Sequence, residues 1–147
     1  MSDRTFRFAT AALAAVGAAI ATYLVVERYT GGVISCTTGG CETVQRSTYS
    51  ELAGVPVAIL GLVAYVAIFA LSLLASDAAH AAVLSASFAG VAFGGYLLYA
   101  QAVPIGAFCD WCLASDAVMG SIAAVSLLRF RTRAVGAPGA VAAAGNP

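Results

Sequence analysis

Four long apolar runs are separated by short polar segments. They occupy residues 8–26, 55–75, 81–103 and 107–128. Each is close to the roughly 20 residues that a helix needs to cross a bilayer. The first three contain no charged side chain, whereas the fourth carries Asp110 and Asp116. The longest polar interval, residues 27–54, lies between the first two runs. The pattern predicts an all-α integral membrane protein built as a four-transmembrane-helix bundle. Arg4 and Arg7 before the first run also suit a signal peptide. Three further runs follow, and cleavage after the first would leave an odd-numbered bundle, so residues 8–26 are read as a span.

Composition supports this reading. The 147 residues are 61% hydrophobic and 10% charged, and the net charge is zero, so nothing points to a nucleic-acid partner. The basic residues set an orientation. Arg4, Arg7, Arg129, Arg131 and Arg133 flank the terminal ends, and only Arg28 and Arg46 lie in residues 27–54. This predicts a multi-pass protein of the cell membrane with both termini cytoplasmic. The 27–54 loop and the turn at Pro104 then face outward, and Ser76–His80 forms the cytoplasmic turn, with His80 a solvated loop residue. Residues 1–133 form one membrane domain. Residues 134–147, rich in Ala, Gly and Pro, are expected to be a disordered tail.

The four cysteines fall as two close pairs, Cys36 with Cys41 and Cys109 with Cys112, all at the extracytoplasmic face in this topology. Disulfides persist in that oxidising compartment. Pro104 and Gly106 make the turn before the last span, which places Cys109 in the first turn of that helix. Cys109, Cys112 and Asp116 then share one face. A helix N-terminus offers partial positive charge and free N–H groups, both of which stabilise a thiolate. C-x-x-C is also compatible with a structural disulfide or half of a zinc site. A zinc site from all four thiols is disfavoured, because it would join a loop to a membrane helix where zinc favours tight knuckles, and no metal is expected. Two pairs, one on a loop and one at the membrane edge, can exchange through a mixed disulfide. Such a pair of pairs can carry electrons from thiols of exported proteins to a lipid-soluble quinone.

The run CTTGGCETVQRSTYSELAGVPVAILGLVAY, from Cys36 to Tyr65, followed by FCDWCLAS, resembles the vitamin K epoxide reductase family, and its prokaryotic homologues in particular. The resemblance spans residues 8–128. It rests on the paired loop cysteines, a serine six residues after the second, Gly-x-Pro opening the second span and C-x-x-C opening the fourth. It implies four helices around a quinone of menaquinone, ubiquinone or vitamin K type, capped by the loop and its short helix. Cys109 and Cys112 would be the active pair, with Cys112 nearest the quinone. Cys41 would form the mixed disulfide with Cys109, and Cys36 would meet the outside partner. Ser47 matches the loop serine, expected to hydrogen-bond within the cap. The activity implied is oxidation of an exported thioredoxin-like partner, a separate protein here, with reduction of a membrane quinone in support of disulfide formation.

Two features depart from the family pattern. The loop cysteines have only four residues between them, and Asp116 stands where vertebrate members have a hydrogen-bonding tyrosine. A carboxylate inside a span is a functional candidate by default. Once protonated it can donate a hydrogen bond to a quinone carbonyl or supply a proton. The alternative is a polar contact with another helix, through Tyr96, Tyr99 or Gln101. Trp111 is read as an interfacial belt aromatic and Asp110 as an exposed residue without a catalytic role. Thr48 to Glu51 fits a capping box for a short helix before Gly54, and Pro56 suits the first turn of the second span. Gly90 and Gly94 suit close helix packing, and Gly61, Gly94 and Gly95 leave room for a flat ring. Competing readings are a quinone-epoxide reductase using the same cysteines, a membrane protein stapled by fixed disulfides, and a transporter relaying protons through Asp116.

Overall fold

The computed structural model describes residues 2–144, with side chains through Val135. The elements in order are α1 (Asp3–Thr30), α2 (Cys41–Gln45), a 3-10 turn (Thr48–Ser50), β1 (Glu51–Leu52), β2 (Val55–Pro56), α3 (Val57–Ser72), α4 (Asp77–Ala100), a π turn (Gln101–Ile105) and α5 (Asp110–Ala144). The four long helices pack in a ring: α1 lies against α3 and α5, and α4 against the same two. Three helical segments, Asp3–Thr30, Asp77–Ile105 and Asp110–Val135, are long and apolar enough to cross a membrane. The fourth, α3, has 16 residues and reaches about 24 Å at the α-helical rise. It is shorter than the expected 55–75 because Val55 and Pro56 are used in a hairpin and the chain leaves the helix after Ser72. The helix α5 continues past the apolar run through most of the expected tail; residues 145–147 lie outside the described residues.

Small residues bring the helices together. Ala14, Ala21, Tyr65, Ile68, Val83, Met119 and Ile122 form the main buried cluster. Gly17 of α1 faces the Tyr65 ring so closely that a Cβ there would collide with it, and Gly90 of α4 faces Met119 in the same way. In lipid, where no hydrophobic force draws helices together, this close packing is a main source of association.

Three local expectations need correction. The segment before Gly54 is a single 3-10 turn with Ser47 at its N-cap, not a capping-box helix starting at Thr48. It runs into a two-stranded hairpin in which Glu51 pairs with Pro56 and Leu52 with Val55. Ala53 and Gly54 turn this hairpin with φ of 53° and 81°, the left-handed pair that suits a tight hairpin. Pro56 is therefore the N-cap of α3, one residue before its first turn. His80 is not a solvated loop residue. Ser76 caps α4, its Oγ accepting from the Ala79 N–H at 3.2 Å, so the helix begins at Asp77 and carries His80 into the interior, only 7% exposed.

Candidate active site

All four cysteines meet at one end of the bundle. Cys41 and Cys109, both fully buried, form a cluster with Val44, against which Cys36, Cys112, Ile105 and Trp111 pack. Cys36 and Cys41 are joined as a disulfide, while Cys109 and Cys112 are free thiols.

The inter-cysteine loop fits α5 closely. Gly39 has φ of 73°, and a Cβ on Gly40 would strike the Phe108 carbonyl. The Asp110 carboxylate accepts from the Thr37 and Thr38 N–H groups at 2.6 and 3.1 Å, and Thr38 Oγ1 donates to the Phe108 carbonyl at 2.9 Å. Asp110 is thus half-buried and holds the loop, where the sequence suggested an exposed residue. Trp111 does more than sit at an interface. Its Nε1–H donates to the Ser35 carbonyl at 2.7 Å, and its ring lies 4.9 Å from that of Tyr23 on α1.

Cys109 stands at the N-cap of α5 rather than in its first turn. Its carbonyl accepts from the Leu113 N–H at 3.0 Å, and its Sγ accepts from the Cys112 N–H at 3.3 Å. The sulfur occupies the position of a capping oxygen, where the helix N-terminus favours negative charge. Two residues that sequence reasoning left out of the site support the pair. Gln101, only 2% exposed, accepts the Cys109 N–H on its Oε1 at 2.7 Å. The π turn aims that side chain: it includes Pro104 and ends at Gly106, with φ of 66°, and the Gln101 carbonyl collects the N–H groups of Gly106 and Ala107. Gln45, at the end of α2, donates Nε2–H to Cys112 Sγ at 3.5 Å. These are the only two glutamines in the chain, a signal available in so apolar a sequence.

Beneath Cys112 the ring of helices lines a partly open cavity of about 440 Å³. Its wall includes Cys112, Asp116, Tyr65, Gly61, Gly90 and Gly94 from the helices and Gln45 and Ser47 from the loop. Asp116 lies one turn below Cys112. Its Oδ2 is buried and has no hydrogen-bond partner, and its Oδ1 is 2.6 Å from where a Cβ on Gly94 would stand. None of the three expected partners takes the carboxylate. Tyr96 and Tyr99 are exposed, and Gln101 is engaged with Cys109. The Tyr65 hydroxyl, also in the wall, donates to the Ser115 carbonyl at 2.7 Å. Ser47 Oγ donates to the Val44 carbonyl at 2.7 Å and so ties the 3-10 turn back to α2. Gly95 does not line the cavity.

Among the described residues, Cys36, Cys41 and Asp110 form a group of potential metal ligands within 4.8 Å of one another. With its two sulfurs bonded to each other, neither is a thiolate, the form that binds metal.

The model of the Vitamin K epoxide reductase family matches residues 8–127, which includes every residue of the cavity wall and both cysteine pairs. The chain therefore belongs to the vitamin K epoxide reductase family, a family of membrane oxidoreductases that use a cysteine pair and are associated with quinones and thioredoxin-like partners.

Proposed function

We propose that the protein oxidises a separate, exported thioredoxin-like protein and reduces a membrane quinone, and so supports disulfide formation in exported proteins. The observation that carries this reading is the placement of Cys112 in the wall of the apolar cavity, with Cys109 buried beside Cys41 of the loop disulfide. The residues fit a quinone. The cavity is of ligand size and largely apolar, glycines leave its wall flat, and the orphaned Asp116 Oδ2 is a polar anchor for one ring oxygen. When bound, the quinone supplies a two-electron, two-proton acceptor.

The chain's own steps balance. The partner's dithiol reduces Cys36–Cys41, beginning at Cys36, the more exposed sulfur. The Cys41 thiolate attacks Cys109 of an oxidised Cys109–Cys112 pair, and Cys112 leaves as a thiolate. Cys36 then displaces Cys109 from Cys41, which restores the loop disulfide and leaves the inner pair reduced. A loop disulfide beside two free inner thiols is the state reached after these steps. The inner dithiol closes to a disulfide as it releases two electrons and two protons into the cavity, where Asp116 in its protonated form hydrogen-bonds the acceptor. The termini are assigned to the cytoplasm and the cysteines to the outer face, from the distribution of arginines.

The test is quinone reduction by the detergent-solubilised protein, supplied with either a reduced thioredoxin-like protein or a small dithiol. Cys112→Ala is expected to be inactive with both donors. Cys41→Ala is expected to fail with the protein donor and to keep activity with the small dithiol. Absence of quinone reduction by the wild type, or equal rates in all variants, would replace this reading with a disulfide-stapled structural protein.

A further inference from the structure

The free pair is held from two directions. Gln101 fixes the backbone of Cys109 from the end of α4, whereas Gln45 reaches the sulfur of Cys112 from the loop. Gln45 is the last residue of α2, and Cys41 is the first. One five-residue helix therefore carries a cysteine of the loop disulfide at one end and a donor to the inner thiol at the other. Arg28 of α1 anchors the same end of α2 by donating to the Gln45 carbonyl at 2.5 Å. The same guanidinium pairs with Glu51 of the hairpin.

We propose that Gln45 is a positioning residue for Cys112: its amide N–H orients the sulfur and stabilises the thiolate, so Cys112 is most reactive when α2 is seated. This rests on the reading of Cys112 as the thiol facing the quinone and names the loop residue that prepares it. A thiolate is the nucleophilic form of cysteine, and an amide donor to a charged acceptor makes one of the stronger hydrogen bonds. The neighbouring sulfur has a different donor, since Cys109 Sγ accepts from the Cys112 N–H. The two sulfurs therefore have different nearest donors, although Cys109 also packs against Cys41 and Val44 of α2. Glutamate at position 45 keeps the side chain's shape but replaces the donor with a repelling carboxylate. Leucine keeps the approximate volume and removes the polarity.

The experiment measures iodoacetamide alkylation of the solubilised protein at neutral pH, with the loop disulfide intact. Fragmentation of the peptide carrying both inner cysteines separates the rates at Cys109 and Cys112. Gln45→Glu and Gln45→Leu are expected to slow alkylation of Cys112 about tenfold, the size of one hydrogen bond to a charged group. Cys109 should slow less than Cys112, since its nearest donor, the Cys112 N–H, is untouched. Thermal unfolding and retention of the Cys36–Cys41 disulfide establish that the variants are folded, and Arg46→Ala, which removes the exposed neighbour that pairs with Glu42, should alkylate as wild type. Unchanged or faster alkylation of Cys112 in folded Gln45 variants overturns the proposal, as does equal slowing at both cysteines. The readout needs neither quinone nor partner. A wild type that reduces no quinone but shows this contrast would refute the proposed function alone; turnover without the contrast would refute the role of Gln45 alone.

Discussion

At the scale of the residue, Asp116 sets stability against chemistry. Its buried Oδ2 has no partner, and an unsatisfied buried polar group costs about 1–3 kcal/mol. Asp116→Leu removes that cost and fills part of the cavity. It is expected to raise the thermal unfolding midpoint in detergent while lowering quinone turnover at least tenfold, on the order of one lost polar contact in a largely apolar site. Asp116→Asn, which keeps a donor but cannot give up a proton, should fall between the two in turnover. A variant with raised stability and full turnover would remove Asp116 from the site. Gly94→Ala tests the same contact from α4, because its Cβ would press on Asp116 Oδ1. Asp116 was legible in the sequence because a carboxylate in an apolar run has few explanations. Gln45 and Gln101 stand out by their rarity in so apolar a chain, but an amide in a loop or at a helix end does not by itself mark a site. Only the fold shows that both converge on one thiol pair.

At the scale of the element, the loop between Cys36 and Cys41 is held against α5 by contacts that begin at Asp110. One carboxylate oxygen serves two backbone N–H groups, and the following residue, Trp111, holds Ser35. Asp110→Ala should leave the helix bundle intact and release the loop. Hydrogen exchange at residues 35–40 should then accelerate at least tenfold, as expected for loss of charge-assisted hydrogen bonds worth about 1.5–3 kcal/mol. Exchange in α3 and α4 should stay unchanged. Equal exchange in the loop would mean that the disulfide alone orders it. The long elements were readable because an apolar run of about 20 residues admits little besides a spanning helix. The short ones were not. The hairpin rests on two residue pairs, the π turn on one irregular stretch around Pro104, and His80 was misplaced because Ser76 starts α4 earlier than the apolar run does. Each depends on local hydrogen bonds that hydrophobic periodicity does not encode.

At the scale of the whole molecule, the end opposite the cysteines is closed by charges that join the first helix to the last. Arg129, only 6% exposed, donates from Nε and a terminal nitrogen to the two oxygens of Asp3 at 2.7 and 2.9 Å. Arg133 reaches Asp3 as well and pairs with Asp77 of α4. Three helices thus meet at the Arg133 guanidinium, which bridges Asp3 of α1 and Asp77 of α4. The hydrogen bond from Arg129 holds the Asp3 carboxyl below its usual range, with smaller contributions from the charges of Arg129 and Arg133. The sign follows from linkage. A carboxyl whose proton affinity is lower in the folded state contributes stability above its unfolded pKa, and that contribution is lost as pH falls through the lowered folded value. The contribution is small because Asp3 is well solvated. Between pH 7 and pH 5 the unfolding midpoint of the wild type should therefore carry a constant increment over Asp3→Asn. Below about pH 4, the ordinary range of an aspartate, the two curves should converge. Arg129→Met should shrink the increment at every pH, leaving only what Arg133 contributes to Asp3. Quinone turnover should not change in either variant, because both residues lie at the far end from the cavity wall. A difference between wild type and Asp3→Asn that grows toward low pH would show that the clamp is held by something other than this carboxylate.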